Sequence, residues 1–260
     1  MSSTTMKLRF FHGEAIGVLK LFWVICLIPL TGFAEQKWAS FEEMMNSSSY
    51  EKVTKEISFE TRGPVQVSCS YPILFGKGEL VEYVNQDLKV KAENQFDKFV
   101  EDEKLSDEEW EDECSLSYAL FPAYQVSNLI SIGGCWSYIR NSHSSTSYEG
   151  KNYWQRGDSI IKLFLDDLFI KGSGYRSFML QYCENYFKSS GYGYYSSLPE
   201  FPPQLESHDL DIFVLTDKGL MIIFRAYRVG GSADGPDTVL IPYAELKEFI
   251  DPLGPLKEKL

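Results

Sequence analysis

Histidine is scarce in this chain, with three among 260 residues, and only His143 and His208 lie beyond residue 34. There is no His-Glu-x-x-His pair to hold zinc, no Gly-x-Ser-x-Gly elbow, no glycine loop shaped for phosphates and no dinucleotide fingerprint. The enzyme classes that those motifs carry are excluded as sequence readings. Basic charge is also short: 25 Lys and Arg stand against 37 Asp and Glu, for a formal net charge of −12. Nucleic acid is therefore not an expected partner, because its binding draws on phosphate neutralisation by Lys and Arg. No two cysteines stand at the close spacing of zinc sites, and no metal or cofactor is expected.

Long apolar runs are missing too. One uncharged run, ten residues from 21 to 30, follows Lys7, Arg9 and Lys20 and precedes Gly32 and Ala34. This is the layout of a secretory signal peptide, with cleavage expected between Ala34 and Glu35. The run falls short of the roughly 20 residues of a spanning helix, and membrane contact is expected only if it stays uncleaved. A lipid anchor at Cys26 is disfavoured by the bulky Ile25 before it. Loss of residues 1–34 removes three basic groups and one acidic, taking the charge from −12 to −14. The expected location is periplasmic or extracellular. In that setting the four remaining cysteines, Cys69, Cys114, Cys135 and Cys183, are candidates for two disulfides of open connectivity.

Along the chain, 35–51 reads as a loosely held, Ser-rich leader. Imperfect alternation over 52–61 and faultless alternation in VQVSCSY (65–71) predict strands separated by Arg62-Gly63-Pro64, with Val65, Val67, Cys69 and Tyr71 on a core face. From 79 to 103 the apolar spacing turns helical through Val81, Val84, Leu88, Ala92 and Phe96. The next stretch is acidic, with nine Asp or Glu in the thirteen residues 101–113, and reads as a solvated helix end and loop or a docking surface for a cationic partner. Strands are predicted at 114–121 and 129–140, joined near 122–128. The polar 141–150 reads as a loop carrying His143. A Gly157-Asp158 hairpin follows, then a second helix near 175–189 that Ser173 can cap. A Gly- and Tyr-rich loop (191–203) comes next, then a hairpin about Thr216-Asp217-Lys218-Gly219, and a short C-terminal helix opened by Pro242. The fold class is α+β, with an N-terminal strand-helix-strand module at 52–140 and a C-terminal module at 141–260 packed as one unit.

Chemistry-bearing candidates are few. Tyr192, Tyr194 and Tyr195 are amphipathic contact residues suited to a partner or glycan, or to the domain's own flank. Asp166 and Asp167 adjoin at a strand-to-helix transition, where the structural reading is a cap. A glycosidase needs only two carboxylates at the right separation, so a peptidoglycan hydrolase remains the alternative to a binding protein.

Three motifs occur in a definite order. Leu165, Asp167, Leu168 and Phe169 end a hairpin; Thr216, Asp217 and Gly219 form an aliphatic hairpin's turn; and Gly235, Pro236, Ile241, Pro242, Tyr243 and Leu246 close the pattern. In these the stretch 158–250 resembles the domain of unknown function in the ectodomain of the RsiV-type anti-sigma factor, a lysozyme receptor, and in the non-catalytic region of the PdaC-type peptidoglycan deacetylase. The strand-helix-strand region before it resembles that domain's usual companion. Of the family's Gly-Gly-Ala-His element only His143 is present, which makes it a candidate ligand-binding residue with the three tyrosines. The resemblance implies an exported, non-enzymatic envelope module that binds a protein or cell-wall ligand. A cationic lysozyme suits the acidic charge, and cell-wall glycan is the other partner implied.

Overall fold

The alternation at 65–71 becomes a strand with one face fully buried. Val65, Val67, Cys69 and Tyr71 point into the core while Gln66 is exposed. The structure, a computed structural model, describes residues 7–8, 50–60, 64–105, 114–140, 143–191, 204–225, 227–230 and 237–260. The expected signal segment, apart from Lys7 and Leu8, and nearly all of the leader lie outside these residues, as do 106–113 of the acidic run.

The larger sheet has seven strands in chain order: β1 (Lys7–Leu8), β2 (Glu51–Glu60), β3 (Pro64–Ile73), β4 (Cys114–Val126), β5 (Leu129–Arg140), β6 (His143–Arg156) and β7 (Ser159–Leu163). Every neighbouring pair is antiparallel except β3 and β4. The exception follows from connectivity. A parallel pair needs a crossover of a dozen residues or more, and α1 (Glu79–Leu105) supplies it. The turn into α1 is pinned by the Asn85 side chain, which accepts from the Leu74 amide at 2.9 Å and donates to the Leu74 carbonyl at 3.2 Å. Glu79 and Glu82 in the first turn suit the positive end of the helix dipole. Leu80, Val84, Leu88, Ala92 and Phe96, spaced four apart, are all buried against β3, β4 and the inner positions of β5.

A three-stranded antiparallel sheet covers the opposite face near the far end. It is ordered β10 (Asp237–Pro242), β9 (Gly219–Phe224), β8 (Phe213–Leu215) and is joined by α2 (Tyr175–Ser190) and α3 (Tyr243–Leu246). Tyr175, Met179, Cys183 and Phe187 form the buried stripe of α2, while Tyr186 is exposed. The edge strand β8 is closed by side chains of the other sheet. Ser131 Oγ accepts from the Leu215 amide at 2.9 Å and pairs with Asn152 Oδ1 at 2.6 Å, and Asn152 Nδ2 donates to the Phe213 carbonyl at 3.2 Å. Backbone groups that would otherwise form an open edge are thereby satisfied in a buried setting.

The Thr216 turn of the β8–β9 hairpin is built by its own hydroxyl, which accepts from the Lys218 and Gly219 amides and donates to the Gly219 carbonyl at 2.8 Å. Gly219 is required there, since an added Cβ would lie 2.2 Å from the Ile241 carbonyl oxygen of β10. The Tyr243 hydroxyl donates to the Thr216 carbonyl at 3.0 Å and ties α3 to the same turn.

The long helix, the second helix, the short C-terminal helix and the α+β class agree with the sequence expectations, and the structure departs from them at four points. β4 runs through Pro122 to Val126 instead of ending near 121; the register shifts between Pro122 and Tyr124, the kind of irregularity that lets a strand hold a residue without an N–H. The polar 143–150 is strand, the first half of β6, paired along its length with β5. Ser173 does not cap α2: Gly174 holds the N-cap position and the Ser173 hydroxyl is buried without a hydrogen bond. The expected disulfides do not occur, and Cys69, Cys114, Cys135 and Cys183 are all thiols. Register explains why. Cys114 stands opposite Val65, about 13 Å along the strands from Cys69, and bridging needs Cα atoms within about 7 Å. Cys135 stands opposite Ala119, a strand beyond β3, and Cys183 belongs to the other core. No helix among the described residues is long and apolar enough to cross a membrane.

Candidate functional site

Where α1 passes over β6 and β7, the sheet offers it charge in place of aliphatics. Glu149, Lys151 and Tyr153 alternate along the α1 side of β6, and Lys162 stands opposite Tyr153 on β7. The flank of α1 facing them carries Asp87 and Lys91. Asp87 accepts from the Tyr153 hydroxyl at 2.7 Å, from Lys162 at 2.8 Å and from Lys91 at 2.9 Å. Burial disfavours its charge, but the hydrogen bonds from Lys162, Lys91 and Tyr153 outweigh that and bring the carboxyl from 3.8 to about 2. The Tyr153 phenol is pushed up by its burial and by its bond to this carboxylate.

Two residues before Tyr153 on the same face of β6, Lys151 is the most enclosed of these cations, its side chain 11% exposed. It pairs with Glu149, which also accepts from the Tyr118 hydroxyl. Burial is the largest influence on Lys151 and holds its ammonium below the ordinary lysine range despite Glu149.

Together these groups form one wall of a cavity of about 580 Å³ lined by Lys91, Lys151, Tyr153 and Lys162 on this side. The lining also includes Leu163, Phe164, Leu165 and Phe213 and a second charged group, Asp166, Arg176 and Asp211. Asp166 accepts from the Tyr175 hydroxyl and from Arg176 at 3.0 Å; Arg176 reaches Asp211 at 3.2 Å. Burial opposes the guanidinium's charge, but these two carboxylates raise its pKa above the ordinary value. A shallower depression of about 380 Å³ shares Leu163 and Asp166 with the cavity and extends it past Trp154, Asp251 and Leu253. Phe164 at the first mouth is 75% exposed and Leu253 at the second is 78% exposed. Among the described residues no cluster of His, Cys, Asp and Glu could hold a metal ion.

The residues singled out from sequence are not gathered here. His143 opens β6 opposite Arg140 at the far hairpin turn, about 20 Å or more along the strand from Gly150 and Lys151. Tyr192, Tyr194 and Tyr195 lie outside the described residues. Asp167 takes the structural role expected of it, its carboxylate accepting from the Phe164 amide at 2.8 Å. Asp166 instead joins the cavity. The signal that marks the site is a pair of charges, Glu149 and Lys151, on the face of a strand whose next alternate residue, Tyr153, is buried. It is matched by the Asp87–Lys91 pair one turn apart beside the buried stripe of α1.

No curated protein sequence matches the chain. Solved structures share its fold, among them the following two. A DUF3298 family protein from Pseudomonas aeruginosa PAO1 is 13% identical with a TM-score of 0.59, covering 80% of this chain and 97% of that one. A member of the same family from Bacteroides fragilis NCTC 9343 is 14% identical with a TM-score of 0.51, covering 81% of this chain and 97% of its own. In the sequence itself, residues 166–244, within the stretch whose motifs carry the resemblance, match the family described as a protein of unknown function, DUF3298.

Proposed function

We propose that this chain is an exported, non-catalytic protein of the cell envelope that binds a cell-wall ligand in the cavity at the margin of α1. The observation that carries this reading is the engagement of the carboxylates in and behind the cavity lining: Asp166 and Asp211 line it and both meet Arg176, while Asp87 and Glu149 stand behind its lysines. Asp87 takes three donors, Glu149 takes Tyr118 and Lys151, and Asp166 takes Tyr175 and Arg176. A glycoside hydrolase needs one carboxyl that keeps its proton near neutral pH beside another that does not, and Asp87 is shifted the opposite way. Such a constellation favours recognition over proton transfer. Export is supported by the N-terminal layout, and an envelope role by the resemblance to RsiV-type and PdaC-type domains.

The net charge of −14 after loss of residues 1–34 favours a second ligand, a cationic protein such as lysozyme. Pelleting of the purified protein with insoluble peptidoglycan tests the first reading, and the protein is expected in the pellet with no new reducing ends released. Recovery only in the supernatant overturns it, and release of new ends restores the hydrolase. Lysozyme binding that weakens with salt supports the second ligand; its absence at low salt removes that ligand.

A further inference from the structure

The charges around the cavity are unevenly shared. Lys91 and Lys162 converge on the single carboxylate of Asp87, whose oxygens already accept from the Tyr153 hydroxyl as well. Each ammonium has three N–H donors, so most of the donors on these lysines, and those of Lys151 beyond Glu149 and Tyr118, are left for whatever enters the cavity. An excess of cationic donors on a half-buried wall recognises an anionic acceptor, and charge-assisted hydrogen bonds there are about twice as strong as neutral ones.

The remaining lining narrows the ligand. Asp166 and Asp211 form, with Arg176, a second charged group of the lining, separate from the lysines, and keep acceptor lone pairs, so the part of the occupant that meets them carries hydroxyl or amide donors. A purely apolar tail would cover these carboxylates, whose lone pairs Arg176 and Tyr175 only partly use, without supplying a donor. At the mouth, the Phe164 ring is 75% exposed, a flat apolar surface that the C–H face of a sugar ring covers. The volume of about 580 Å³ falls in the range of small-molecule sites, about 300–1,000 Å³.

Building on the proposed binding function, we infer that the cavity is a sugar-acid site: a carboxylate on the Lys91–Lys151–Lys162 wall, hydroxyl or acetamido donors toward Asp166 and Asp211, and a ring face on Phe164. Binding places a second anion beside Lys151, which favours its charged form and draws a proton onto it wherever it is partly neutral.

The test is calorimetric titration of the full chain with N-acetylmuramic acid and with N-acetylglucosamine, which shares the ring and acetamido group but has no carboxylate. The acid is expected to bind at least tenfold more tightly. Phe164→Ala and Lys162→Gln alter exposed side chains, and both are expected to keep the native circular dichroism spectrum. Each should weaken the acid about fivefold or more, and Lys162→Gln should narrow the gap between the two sugars. Equal affinities, no heat from the acid at millimolar concentration, or unchanged affinity in both variants overturns the inference. Peptidoglycan pelleting on the same preparations separates the two levels: retention in the pellet with no sugar-acid binding overturns this site and leaves the binding function standing, whereas loss of both overturns both.

Discussion

The two faces of the large sheet are held by different physics. Against α1 the contact is aliphatic and aromatic, with Leu80, Val84, Leu88, Ala92 and Phe96 laid on Val67, Leu116, Leu120, Ile130 and Ile132. Stability there grows with apolar area. Against the small sheet an apolar layer of Phe121, Ala123, Tyr148, Val214, Met221 and Ile223 is joined, at β8, by contacts fixed by shape and hydrogen bonding. Gly150 meets the Phe213 backbone so closely that a Cβ would lie 1.9 Å from its carbonyl oxygen, and Ser131 and Asn152 complete the edge strand. One face tolerates graded changes in volume, while at β8 the other accepts one geometry. The cavity lies where the first kind of packing gives out, at the margin of α1, beside the second kind.

This contrast predicts an order of sensitivity. Gly150→Ala forces backbone apart and is expected to destabilise by about 4 kcal/mol, more than ordinary overpacking, measured by urea denaturation. Leu88→Ala on the helix face leaves a cavity and should cost about 3 kcal/mol, with Leu88→Met recovering most of it. A Gly150 variant milder than the Leu88 one breaks the comparison. Asn152→Ala strips a buried acceptor and donor from β8 and is expected to cost about 2 kcal/mol. Hydrogen exchange at the Leu215 amide should accelerate with it, and an unchanged rate would show that Ser131 alone closes the edge.

The smallest effect is a pH dependence. Asp87 titrates at about 2 when folded and near 3.8 otherwise, so its contribution is fully present above that ordinary value and is lost as pH falls from there through about 2. Asp87→Asn should remove that part of the acid-induced loss, seen as a shallower fall in stability between about pH 4 and pH 2. Parallel curves for the two proteins would show that the Lys91, Lys162 and Tyr153 bonds do not favour the charged carboxylate.

Much of the fold was legible because period and punctuation are local. The 79–103 helix, the 175–189 helix, the Gly157-Asp158 and Thr216–Gly219 hairpins and the short helix after Pro242 all occur where the pattern places them, within a few residues. The polar 143–150 stretch read as loop because its residues carry no apolar alternation. It is strand because β5 offers an unbroken partner along its whole length. Ser173 read as a cap from its chemistry, but the left-handed Gly174 takes the N-cap position. Cysteines paired by compartment logic are separated by register. The site itself was barely legible: of its residues only Asp166 stands out in the sequence, beside the capping Asp167, while Lys151, Lys162, Asp87 and Arg176 belong to no motif.

The sequence by itself determined the helices, most of the strands, the α+β class and the turns at Thr216 and Gly219, because hydrophobic period, glycine and a hydroxyl at a turn act over a few residues. Tertiary structure alone decided the parallel join of β3 to β4 across α1 and the separation of the thiols. It also decided the meeting of Asp87 with Tyr153 and Lys162, 66 and 75 residues away in the chain. Charge carries no period that marks its partner. Only when α1 is laid across β6 and β7 do these groups come within hydrogen-bonding distance and form a wall with something to bind.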